Sequence, residues 1–122
     1  MSLKSFTEAY IEVALWSTND ESDESGGMPL NENYGPSDIA PDTMKQMKKD
    51  CSAFYENWHP LWDDEYSDTH AGHDFWLTRN EHGAGFWDGD IKNEKNADRL
   101  TDAAKRYGEV NLYVGDDGKI YS

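Results

Sequence analysis

The chain has 122 residues, enough to bury a core without a metal or disulfide staple and the size of a single domain spanning 1–122. Its 25 acids against 11 bases leave a formal net charge of −14, which repels nucleic acid and anionic membrane and attracts basic protein surfaces. The lone cysteine, Cys51, excludes an internal disulfide and favours a reducing compartment, and no apolar run approaches the ~18 residues of a membrane span. No basic stretch followed by an apolar core opens the chain, so no signal peptide and a cytoplasmic location are expected. Five Trp and seven Tyr argue for an aromatic core rather than disorder.

The first element is a helix over about 5–16, "SFTEAYIEVALW". Ser5 and Glu8 have capping-box spacing, and Phe6, Tyr10 and Val13, with Ala9 and Trp16, recur at helical intervals. "STNDESDESGGMPLNENYGPS" then breaks every period and reads as an acidic, mobile loop within 17–40. A second helix is expected over 41–58. Pro41 suits its first turn, Met44, Met47, Cys51, Phe54 and Trp58 form one stripe, and Pro60 ends it. Cys51 sits in that stripe, where burial raises a thiol pKa, so it reads as core rather than nucleophile.

After a polar connector comes "GHDFWLTRNEHGAGFW", residues 72–87, rich in Trp, Phe, His and Gly. Its aromatic content favours strands, and "NEHG" supplies a turn, so a hairpin of residues 74–79 and 84–88 is expected, with Trp76 and Trp87 in the core. Arg79 is expected to pair with a nearby acid. A third helix, about 97–107, is capped by Asn96 and ended by Gly108. "EVNLYVGDDGKIYS" closes as a second hairpin, residues 110–114 and 119–121, turning at Asp117-Gly118. The expected class is α+β: an antiparallel sheet of about four strands with about three packed helices.

Charge is distributed unevenly. Residues 5–44 hold nine acids and no Lys or Arg, and residues 50–78 hold seven and none, whereas 79–122 are nearly balanced. The two stretches are expected to form one negative face, with Asp20, Glu21, Asp23, Glu24, Asp63, Asp64, Glu65 and Asp68 as main contributors. The competing explanations are solubility and a halophilic source.

For chemistry, His70 and His73 are three apart with Asp74 beside them, a possible metal set completed by His82, Asp63 or Asp88. No zinc spacing is matched, and no nucleophile elbow, P-loop or dinucleotide fingerprint occurs. "DGDIKNEKNAD" fails the calcium-loop template because Lys92 stands where an oxygen ligand belongs. Single-strand binding by the aromatics needs a basic groove, and Arg79 alone does not make one. No cofactor is expected.

"AGHDFWLTRNEHGAGFWD" followed by "LTDAAKRYGEVNLYVGDDGKIY", within about residues 71–122, resembles a family of small proteins encoded by bacteriophages and related mobile elements. The resemblance brings no activity and no functional residues. It leads one to expect a glycine just before "HGAGFWD", where this chain has Glu81. By analogy with small acidic phage proteins, it implies an accessory protein that occupies a basic host protein surface, with charge mimicry of DNA as one route. A metal-binding protein or metal-dependent enzyme using His70 and His73 is the alternative. The oligomeric state is left open.

Overall fold

The computed structural model describes residues 3–20, 28–62, 66–82, 84–87 and 91–122, Asp20 by its backbone alone. These residues form four α-helices and two short antiparallel strand pairs. Helix α1 is Leu3–Ser17, α2 is Pro41–Trp58, α3 is Asp68–Arg79 and α4 is Glu94–Arg106. Strand β1, Asn19–Asp20, pairs with β2, Met28–Pro29; β3, Tyr113–Val114, pairs with β4, Ile120–Tyr121. No helix among the described residues is long and apolar enough to cross a membrane.

The expected four-stranded sheet is corrected. Residues 74–79 are helical, the C-terminal half of α3, and residues 84–87 form no strand. The connector carried the helix start signal. Ser67 caps α3 by accepting the His70 backbone N–H at 3.0 Å, Asp68 occupies the first turn, and Arg79 the last. The helix is buried over most of its circumference: Ala71, Gly72, Asp74, Phe75, Trp76, Thr78 and Arg79 are all enclosed. A helix wrapped on nearly all sides has no clean amphipathic stripe, so residue type alone pointed to a strand.

Gly72 explains how α3 gets so close to α1. A Cβ at this position would collide with the Phe6 carbonyl oxygen and come within 3.0 Å of the Ala9 Cβ. Around this crossing lies a continuous aromatic core. Phe75 stacks on Phe54 with centroids 4.2 Å apart, Phe6 meets Phe54, Phe75 and Trp62 at 5.8–6.1 Å, and Tyr10 meets Trp76 edge-on at 5.4 Å. The Trp76 indole N–H, buried with its ring, donates to Ser17 Oγ at 2.8 Å. Trp87, expected in the core, is instead 40% exposed, with the Lys105 ammonium over its ring.

The other helices follow their patterns more closely. Helix α2 buries Thr43, Met47, Cys51 and Phe54, with Met44 and Trp58 half-buried on the same side. Helix α1 starts before Ser5, which therefore lies within the helix and is not its cap. Asn93, not Asn96, caps α4, accepting the Asn96 backbone N–H at 3.1 Å; Gly108 ends that helix at φ 77°. The 17–40 segment has more structure than a loop: beyond β1 and β2, it makes single 3-10 turns at Leu30–Glu32 and Pro36–Asp38. Of the second hairpin, only β3 and β4 pair, across a turn with Gly118 at φ 80°. Ile39 bridges to Ile120, tying this hairpin to the start of α2.

Helix α3 ends in a Schellman closure: the Glu81 N–H donates to Thr78 O at 3.1 Å and the His82 N–H to Leu77 O at 3.0 Å. This requires a left-handed residue between them, and Glu81 takes φ 53°. The position is the one where the resemblance led to expect glycine. Glu81→Gly is therefore expected to stabilise the fold by about 1 kcal/mol, the usual cost of a Cβ in that conformation, measured by urea unfolding. Trp76→Ala should destabilise by ~3–5 kcal/mol as a large core truncation, and Gly72→Ala by ~1–3 kcal/mol as overpacking at the α1–α3 crossing. Wild-type stability in either variant would contradict this packing.

Candidate functional site

Of the eight acids expected to form the negative face, Glu21, Asp23, Glu24, Asp63, Asp64 and Glu65 lie outside the described residues, and Asp20 is described by its backbone in β1. Asp68 is placed, and it works inward. Its carboxylate accepts the Trp62 indole N–H at 3.0 Å and the Tyr55 hydroxyl at 3.1 Å, which fastens the start of α3 to α2 and to the residues after it. The Tyr55 phenol is raised above its ordinary pKa, by burial first and then by this carboxylate.

The histidines divide. His70 Nε2 lies 3.4 Å from the buried Asp74 carboxylate, one helical turn along α3, and the Tyr66 hydroxyl donates to the same carboxylate oxygen. The His70 ring rests against the Tyr66 ring, centroids 4.4 Å apart. His73 instead lines a cleft against α1. His82 sits beyond the end of α3, beside a different hollow. Among the described residues, no group of three or more His, Cys, Asp or Glu could hold a metal ion. Cys51 is buried, and burial pushes its thiol well above the usual cysteine range, so it is held as an inert thiol.

Three of the hollows on the described surface bear on function. The first, about 440 Å³, lies between α1 and the segment after β2. It is lined by Glu8, Ile11, Glu12 and Leu15 of α1 and by Asn31, Tyr34, Gly35 and Pro36. The second, about 350 Å³, lies between α1 and α3, lined by Glu12, Val13, Trp16, Asn31, His73 and Leu77. The third, about 430 Å³, is polar. It is framed by residues 17–19, the end of α3 and residues 109–113, with Asn19, Asn80, His82, Glu109 and Asn111 among its walls.

The first two hollows share Glu12 and Asn31, so they flank a common ridge. That ridge follows from the sequence of α1. Phe6, Ala9, Tyr10, Val13 and Ala14 are drawn into the core, which turns Glu8, Glu12 and Trp16, spaced four apart, outward. Trp16 is 58% exposed, although its spacing suggested a place in the buried stripe. Both floors are largely apolar, from Ile11, Leu15, Tyr34 and Pro36 on one side and Val13 and Leu77 on the other. Among the described residues, no Lys or Arg lines either cleft. Composition alone pointed to the acidic loops; the Glu8–Glu12–Trp16 stripe was readable on a helical wheel but was hidden by assigning Trp16 to the core.

The chain was compared with protein-family models, curated proteins and solved structures, and none matches.

His73 gives this site a titratable marker. Burial lowers its pKa below the ordinary 6.5, Glu12 opposes by raising it, and His70 lowers it further. With the folded value depressed, the unfolded chain takes the proton first as pH falls. His73 therefore favours the fold above pH 6.5, and that contribution is lost as pH drops through the folded value. An NMR titration of the His73 ring should give a midpoint below 6.5, and Glu12→Gln should lower it further. A midpoint at or above 6.5 would contradict the arrangement.

Proposed function

We propose that the chain is a non-enzymatic accessory protein, of phage or mobile-element kind, that occupies a basic surface on a host protein. Its negative charge stands in for that of DNA. The observation that carries the reading is the paired cleft on α1: apolar floors, Glu8 and Glu12 beside them, and no basic residue in either lining. The charge distribution agrees. Most exposed bases among the described residues lie elsewhere, as Lys45, Lys48 and Lys49 on α2 and Lys95, Arg99, Lys105 and Arg106 on α4; Lys4, one turn before Glu8 at the start of α1, is the exception and lines neither cleft. The acids at 20–24 and 63–68 extend the negative character along the chain. An isolated surface charge contributes little to folding, and a concentrated set costs self-repulsion, so the concentration serves solubility or a partner. The resemblance of residues 71–122 to small phage proteins supports the reading as analogy only.

The test is association kinetics with a basic host protein recovered on the immobilised chain and then purified. Raising salt from ~0.1 M to 1 M shortens the screening length from about 10 to 3 Å and should slow association by roughly tenfold or more. Neutralising Asp63, Asp64 and Glu65 together should also slow it, with stability changed by less than about 0.5 kcal/mol. Duplex DNA should compete for the same partner. An association rate indifferent to salt and to the triple substitution would reduce the acidity to solubilising surface.

A further inference from the structure

Resting on that reading, we infer that the ridge of α1 is the anchoring site. Its occupant is a short basic segment of a partner protein that places one apolar side chain in each cleft and a Lys or Arg between them on Glu12. The argument is complementarity. The clefts share Glu12 and Asn31, so a ligand filling both passes over the ridge these two residues make, with the Glu12 carboxylate as its charged group. Glu8 stands one helical turn away on the same stripe, with Lys4 a further turn back, so Glu12 is the carboxylate set farther from the chain's own cation on that stripe. Each hollow, about 440 and 350 Å³, has room for a large apolar side chain, and each is walled on the α1 side by fixed elements rather than by loose chain. The far walls are Tyr34, Gly35 and Pro36 for one and His73 and Leu77 for the other.

Trp16 marks the end of the ridge. At 58% exposure it is the most exposed large hydrophobic side chain among the described residues, and it lines the second cleft directly. Aromatic residues at the edge of an apolar hollow are the kind of group that dominates binding energy when a partner covers them. An anionic ligand is disfavoured by Glu8 and Glu12. A purely apolar one would leave both carboxylates covered without a partner, which is costly. A polycation without apolar groups would leave the floors empty. Only a segment with both chemistries satisfies the whole surface.

Three synthetic peptides test this on the full chain. One is a Leu/Lys peptide patterned so that the leucines share a face, the second has the same composition scrambled, and the third is oligo-lysine of equal charge. The patterned peptide should bind about tenfold more tightly than the other two and should shift the Trp16 indole N–H in NMR spectra. Trp16→Ala and Glu12→Lys, both at exposed positions that should leave the fold intact, should each weaken it by about tenfold. Equal, salt-sensitive binding of all three peptides, unaffected by either substitution, would overturn the anchoring site and leave the electrostatic reading standing. Failure of every cationic peptide to bind would overturn both.

Discussion

The guanidinium of Arg79 is the constraint around which the helices are arranged. It is buried, and stripping water from an ion is tolerated only when its donors find partners. Here they do. Nη1 donates to the Tyr10 hydroxyl at 3.0 Å and to Asp50 Oδ2 at 2.9 Å, Nε to the Gly108 carbonyl at 2.8 Å, and Nη2 to the Tyr107 carbonyl at 2.9 Å. Those partners come from α1, α2 and the end of α4, while Arg79 itself closes α3. One planar fork therefore fixes four helices relative to one another, with the rings of Phe75 and Tyr107 about 5.5 Å from its carbon. Burial pushes the Tyr10 phenol far above its ordinary pKa, so it stays a neutral hydroxyl and Asp50 is the counter-ion. A lysine, with a compact ammonium and no fork, could not reach the same set.

The surface is a consequence of this interior. Because Tyr10 must reach Arg79 and Phe6 must sit against Gly72, the rotation of α1 about its own axis is fixed. The side that remains outward is then Glu8, Glu12 and Trp16. The α3 approach that needs Gly72 also sets His73 and Leu77 opposite Val13 and Trp16, one turn from the crossing. The α1 side of both clefts, and the α3 side of the second, is thus set by the same contacts that hold the core, which favours a preorganised surface.

How much was legible in the sequence depended on which neighbours a residue answers to. Helix α2 was readable end to end because its apolar stripe faces a single core and Pro41 starts it. Gly108, Asp117 and Gly118 announced local turns, and local turn chemistry is self-contained. Helix α3 failed the same reading. Its identity rests on Ser67 and Asp68, polar residues that looked like connector, while its interior is buried on nearly every side. Arg79 was expected to find an acid close in the chain; its carboxylate, Asp50, is 29 residues away on another helix. The acids chosen for the site were those dense in sequence. Asp68 turned out to be committed to Trp62 and Tyr55, whereas Glu8, read only as a capping-box partner, and Glu12, unremarked, border the clefts.

Charge and shape have separate roles in such a surface, and the difference bears on why both are present. A concentration of carboxylates steers a basic partner from a distance and raises the encounter rate, but it is tolerant of register: many orientations satisfy it nearly equally. Residence time comes from what is desolvated and packed at close range. On the proposed reading, the acid-dense segments at 20–24 and 63–65 of the sequence serve the first task and the α1 ridge the second. Such a division of roles has a physical logic. Carboxylates packed densely enough to steer would repel one another across an apolar floor, and each would carry a desolvation cost when covered. Two carboxylates one helical turn apart, with hydrocarbon beside them, keep that cost small and still reject an anion. On the proposed reading, such a surface discriminates among basic partners by the spacing of their apolar side chains, a selectivity that net charge does not supply.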